Sequence, residues 1–205
     1  MLVYDDFSTC IDPMVQLYLK EYLGSLTGRR VCIACREGIL RNHFKDIISD
    51  IKFLTRKSIE TTLFHNLPNR FANQKLIREL ELKLQATSII RIAPDVDFYR
   101  EVLDHPDATF KLIFLERHYL SDRKGYKINT LTTSRLRSSL EDVSEVIGNV
   151  NFKDAMSSIC GKIEDGSCER IHILPAGKNT IRHELFTIEG TGTMVANNFS
   201  EEFRQ

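Results

Sequence analysis

The chain has 205 residues, of which 42% are apolar, enough for one full domain with a hydrophobic core. Its 28 Lys and Arg are matched by 28 Asp and Glu, which argues against nucleic-acid binding through a general basic surface. No apolar run reaches the roughly 18 residues of a membrane span, and the acidic start MLVYDDFSTC is not that of a secretory leader.

Five cysteines, an odd number in a chain of this size, read as reduced thiols. The expectation is a cytoplasmic protein with neither a membrane nor a nucleic-acid partner. Asp12 caps and Pro13 opens a first helix, in which Met14, Val15, Leu17, Tyr18, Leu19, Tyr22 and Leu23 recur at helical spacing. Gly24 and Gly28 mark its exit. Arg29 to Cys35 (RRVCIAC) reads as a buried strand. Helix follows over 43–56, with Phe44, Ile47, Ile48, Ile51 and Leu54 on one stripe. A second strand, Ile59 to Phe64, leads through HNLPNRF into a helix over 73–84.

The alternation continues with a strand over 88–93, a short helix over 96–103 and the strand Phe110 to Leu115. A polar loop centred on 122–125 comes next. Thr132 or Thr133 caps a helix expected over 134–147, and another fits 152–163. The strand Arg170 to Leu174 and a short helix over 179–185 complete the pattern. Strands alternating with helices predict one α/β domain, a three-layer sandwich whose central sheet is mostly parallel and covered on both faces.

Cys32 and Cys35 form a CxxC, but inside a strand that spacing points the two side chains to opposite faces, which suits structural cysteines. The six histidines show no metal-ligand spacing. His172 lies between Ile171 and Ile173 on a strand and reads as a structural histidine, whereas His65 ends a strand at the carboxyl edge, where open α/β sheets bind ligands. Neither GxSxG, a Walker loop nor GxGxxG is present. Glu189-Gly190-Thr191-Gly192-Thr193 places two glycines before the apolar pair Met194-Val195. Such glycines either let the backbone approach a small ligand and donate N–H groups to it, or simply make a tight turn. Glu184 stands six residues earlier and suits a cationic group.

The stretch RIHILPAGKNTIRHELFTIEGTGTMV, Arg170 to Val195, resembles the C-terminal signature of the amino-acid kinase family. In particular it is similar to arginine-sensitive acetylglutamate kinases and to the kinase-like domain of N-acetylglutamate synthase. ELFTxxGxGTM is its most specific part. Val15 to Ala34 is similar to that family's first helix and strand, His43 to Pro68 to its first crossover, and Lys111 to Leu115 with Ile128 to Thr132 to its nucleotide half.

The departures shape what this resemblance implies. A working kinase of the family carries a lysine and two glycines after the first strand; here the residues are Ala34-Cys35-Arg36-Glu37-Gly38. The substrate loop Asn66-Leu67-Pro68-Asn69-Arg70 has no glycine, FLERHYL lacks the expected aspartate, and no GGM-like lysine motif precedes the helix over 152–163. The stretch between Leu103 and Phe110 is too short for the usual substrate-covering hairpin and helices. Phosphoryl transfer rests on placed charges and backbone donors, so losing several together abolishes it.

The resemblance therefore implies a shortened kinase fold without catalytic residues, cofactor or metal, serving as a regulatory and assembly domain in arginine biosynthesis. An acetyltransferase domain is expected in cis or in trans. Residues 1–28 are expected to form an oligomerisation helix and linker, and residues 29–205 the kinase-like domain. L-arginine is the implied effector, with Glu184 for its cationic end, Gly190 and Gly192 for close backbone approach, Lys111 for its carboxylate and Tyr18 closing the pocket. An alternative is an active small-molecule kinase or transferase using Arg36, His65 and Arg70; another is a homo-oligomeric scaffold without ligands.

Overall fold

The computed structural model describes residues 24–26, 28–122, 124–138, 143–144, 152–187 and 190–197. The first helix and Tyr18 lie outside these residues. Nine strands are described: β1 (Arg30–Cys35), β2 (Glu60–His65), β3 (Thr87–Arg91), β4 (Phe110–Glu116), β5 (Ser121–Asp122), β6 (Thr130–Thr132), β7 (Val143–Ser144), β8 (Cys168–Pro175) and β9 (Thr193–Ala196). The helices are α1 (Glu37–Asn42), α2 (Phe44–Arg56), α3 (Phe71–Lys83), α4 (Phe98–Asp104), α5 (Thr133–Ser138), α6 (Phe152–Glu164) and α7 (Thr180–Phe186).

Seven strands form one sheet in the order β3-β2-β1-β4-β8-β9-β6. The run from β3 to β8 is parallel throughout, as helical crossovers require. β9 is antiparallel to β8, while β6 pairs parallel to β9. β2 and β4 lie on opposite sides of β1, so the order reverses at the β1/β4 boundary, and the crevice beyond their carboxyl ends is the position at which open α/β sheets take ligands.

Period-two alternation divides the strands between two cores. Cys32 and Ala34 of β1, Leu112 and Phe114 of β4, and Ile171 and Ile173 of β8 pack under α4, α5 and α6. Val31, Ile33 and Cys35, with Ile113, Leu115 and Leu174, pack under α1, α2, α3 and α7. The three-layer α/β arrangement predicted from the alternation is the observed one. Cys32 and Cys35 fall in opposite cores, and burial pushes both thiols up, Cys32 to about 11, so neither is a thiolate at neutral pH.

The predicted stripe of α2 is buried, and Asp50 is buried with it. Its Oδ2 accepts the Ile181 N–H at 3.0 Å and its Oδ1 lies 2.9 Å from Arg182 Nε, fastening α2 to the start of α7. Arg182 also donates to the Ser49 carbonyl at 2.8 Å. Thr132 Oγ1 accepts the Arg135 N–H at 3.1 Å and caps α5 as expected. The helix predicted over 134–147 is shorter: α5 is described to Ser138, and Val143–Ser144 is instead a strand pairing antiparallel with Ser121–Asp122. β-Branched Val143 suits a strand, and the loop after β4 supplies its ladder partner.

Removing the Asp50 carboxylate leaves the Ile181 amide without its acceptor and takes the ion-pair partner from the half-buried Arg182 guanidinium, which keeps the Ser49 carbonyl. Asp50→Ala is expected to lower the unfolding free energy by about 1–3 kcal/mol, read as a reduced urea midpoint with an unchanged slope.

Candidate functional site

Two places in the fold gather polar side chains. The first lies on the α7 side of the sheet. β8 turns its even-numbered residues to that face, so His172 sits between Arg170 and Leu174, and its ring Nδ1 is 2.7 Å from Glu184 Oε1 on α7. Glu184 Oε2 accepts the backbone N–H of Thr191 at 2.6 Å and of Gly192 at 3.0 Å, with the Thr191 hydroxyl at 3.3 Å. One buried carboxylate thus holds the helix, the strand histidine and the glycine loop together.

Both glycines are required by this contact. Gly190 has φ +59° and a Cβ there would stand 2.8 Å from Glu184 Oε2; a Cβ on Gly192 would stand 2.2 Å from the Ile173 carbonyl oxygen. Burial pushes the Glu184 carboxyl up, but His172 and the Thr191 and Gly192 amides outweigh it and hold it at about 2. Burial in turn keeps the imidazole neutral against the pull of Glu184. His172 then donates its Nδ1 proton, while its Nε2 is buried with no hydrogen-bond partner among the described residues.

Lys111 reaches the same face. β4 shifts register between Phe110 and Lys111, and Phe110 has φ +58°, a bulge that brings its ring to 5.0 Å from the Lys111 ammonium. Lys111 is 2% exposed, and burial, reinforced by Arg170, pulls its pKa down to about 8. In the β4–β8 register Lys111 stands opposite Arg170, diagonal to His172, and its charge acts on that ring. A cleft of about 570 Å³ opens at this end of the sheet, lined by Phe110, Cys168, Glu169, Arg170, Ala196 and Asn197 among others.

The second place is the β1/β4 crevice. Arg36 follows β1, and its Nη2 lies 3.1 Å from Oε2 of Glu116, the last residue of β4. The Tyr99 hydroxyl donates to Glu116 Oε1 at 2.5 Å, and the Arg36 guanidinium lies 5.3 Å over the Tyr99 ring. Asn66, after β2, accepts the Glu37 N–H at 2.6 Å at the start of α1. Side chains of the chain itself therefore take up the Arg36 Nη2 and Glu37 N–H donors at this edge.

His65 and Arg36 are brought together by the Cys35–His65 register pair. The His65 ring is an internal acceptor: its Nδ1 takes the Leu67 N–H at 3.1 Å, and burial, aided by Arg91, lowers its pKa to about 4. Arg70 is exposed at the N-cap of α3. Three residues of these clusters escape sequence reasoning. His172 reads as strand core, and Tyr99 and Glu116 meet Arg36 only through tertiary folding. Among the described residues no cluster of three or more His, Cys, Asp or Glu could hold a metal ion, and no helix is long and apolar enough to cross a membrane.

No protein-family model matches the sequence, and neither does any curated protein. Solved structures do match. The chain is similar to N-acetylglutamate synthase from Neisseria gonorrhoeae, solved with coenzyme A and L-arginine, at 13% identity and a TM-score of 0.70. That match covers 92% of this chain and 66% of the synthase, so the chain spans just under two thirds of that enzyme. It is also similar to smu.665 from Streptococcus mutans (11% identity, TM-score 0.51, covering 82% of this chain and 99% of that one). Uridylate kinase from Archaeoglobus fulgidus matches at 11% identity and a TM-score of 0.51, over 81% of this chain and 99% of the kinase.

Two measurements check this geometry. Gly192→Ala drives a methyl group into the Ile173 backbone and is expected to cost roughly 1–3 kcal/mol, measured by urea unfolding. His65 contributes stability that is complete above pH 6.5 and falls as pH drops towards 4, because only the unfolded chain takes up the proton in that window. The loss of about 3 kcal/mol is expected to shrink in His65→Asn, seen as a flatter dependence of the urea midpoint on pH. With these three solved structures the chain shares the amino-acid-kinase-like α/β fold.

Proposed function

We propose that this chain is a non-catalytic sensing and assembly domain that binds L-arginine and works with an amino-acid acetyltransferase of the N-acetylglutamate synthase type. The observation that carries the reading is the His172–Glu184 pair under the glycine loop, with buried Lys111 on the same sheet face. Lys111 suits a ligand carboxylate, and a water can bridge that carboxylate to His172 Nε2, an acceptor with no hydrogen-bond partner among the described residues. Glu184 Oε1 accepts only from His172 among the described residues, leaving a lone pair for a guanidinium. Gly190 and Gly192 bring the backbone beside it. Tyr18, on the amino-terminal segment, closes the pocket, and residues 1–28 carry the contact between subunits in a homo-oligomer.

Three further points support the reading. The synthase from Neisseria gonorrhoeae, similar over 92% of this chain, was captured with L-arginine and coenzyme A. The lysine that a working kinase of the resembled family carries after its first strand is missing here, where Arg36 is paired with Glu116. An internal ion pair at the carboxyl edge of the sheet supports a non-catalytic reading, because phosphoryl transfer rests on charges placed for the phosphates.

Calorimetry with L-arginine tests the proposal. The parent is expected to give saturable heat. Lys111→Met and Glu184→Ala are expected to weaken binding at least about tenfold, the loss of one charged hydrogen bond, with folding checked by circular dichroism. L-citrulline, which lacks the cation, binds correspondingly weaker, and Mg-ATP leaves the melting temperature unchanged. Absence of heat from the parent at millimolar arginine refutes the reading, and an ATP-dependent rise in melting temperature restores the kinase alternative.

A further inference from the structure

The glycine loop leads directly into a second structure that the proposed pocket does not use. After β4 the chain forms a short hairpin whose neck is closed by the Ile128 N–H donating to the Leu120 carbonyl at 2.9 Å. Its turn is built on Asp122, whose Oδ1 accepts the Lys124 and Tyr126 N–H groups at 2.9 Å each. At the tip Tyr126 is 69% exposed.

Thr193, the first residue of β9, bridges that neck. It is fully buried, and its hydroxyl accepts the Leu120 N–H at 3.1 Å while donating to the Ile128 carbonyl at 2.6 Å. Met194 N–H donates to the Asn129 carbonyl at 2.9 Å, extending the attachment by one residue. One residue earlier, the Gly192 amide is held by Glu184. Gly192 also lies so close to the Ile173 backbone that the loop has little freedom to shift sideways. A displacement at Glu184 therefore reaches the hairpin through two peptide units that are hydrogen-bonded at both ends.

We propose that the Thr193 hydroxyl couples the Glu184 pocket to the hairpin over 117–129, making that hairpin, with Tyr126 at its tip, the element on which occupancy of the pocket is read out. The ligand half of this proposal rests on the arginine reading; the mechanical half does not. Coupling of this kind is a shared bias on one element's stability, and local amide exchange measures it.

Hydrogen exchange by mass spectrometry on the intact chain is the test. With saturating L-arginine, exchange is expected to slow about threefold to tenfold, the worth of one hydrogen bond, in segments 190–194 and 117–129 together. In Thr193→Val, which keeps the shape and removes the hydroxyl, arginine is expected to slow only 190–194. Protection confined to 190–194 in the parent, or unchanged protection of both segments in the variant, overturns the coupling. If arginine protects neither segment and gives no heat, the arginine reading fails and the coupling is decided without ligand. Glu184→Gln then speeds exchange in both segments if the coupling holds, and in 190–194 alone if it does not. Should that variant not fold, His172→Gln, which disturbs the same carboxylate from the strand side, is read in the same way.

Discussion

A single buried carboxylate organises the carboxyl-terminal third of this protein. Glu184 accepts from a strand histidine on one oxygen and from two loop amides on the other. Burying a charge is costly unless donors replace its water, and here three or four of them do. The carboxyl consequently stays ionised down to about pH 2. With that anchor in place, α7, β8 and the start of β9 hold one geometry, and the glycines follow from it, because only residues without a side chain fit between the carboxylate and the Ile173 backbone.

The two ends of the sheet differ in what they offer a ligand. At the carboxyl edge of β1 and β4, Arg36 and Tyr99 both bond to Glu116, which is only 1% exposed. That arrangement spends its charge internally, and a phosphate arriving there meets an arginine already paired with a carboxylate. At the α7 face, by contrast, a neutral histidine keeps one buried nitrogen without a partner among the described residues, next to a lysine whose pKa is already drawn down to about 8. The β4 bulge contributes by bringing Phe110 and Lys111 together at that face.

Much of the sheet is legible in the sequence because its signals are local. The apolar stripe of α2, the Val-Ile-Cys run of β1 and the cap at Thr132 each lie within a few residues. Glu184 and the two glycines stand out for the same reason, as one short block. The rest is not local. Asp50 is buried against Arg182, more than a hundred residues away, and nothing local marks that pairing. Val143 reads as helix, yet a distant loop offers it a strand partner. His172 among isoleucines looks like core, and its free ring nitrogen emerges only once Glu184 is placed on the other.

Residue type and spacing by themselves determined the α/β class and the alternating elements of the sheet, since periodicity is a property of short segments. Folding decided which charges meet. Arg36 is paired with Glu116 and Tyr99, Glu184 with His172 and the glycine loop, and Thr193 with the hairpin neck. Each of these contacts joins elements that only sheet order and register bring within hydrogen-bonding distance, and their worth depends on burial, which no short segment carries.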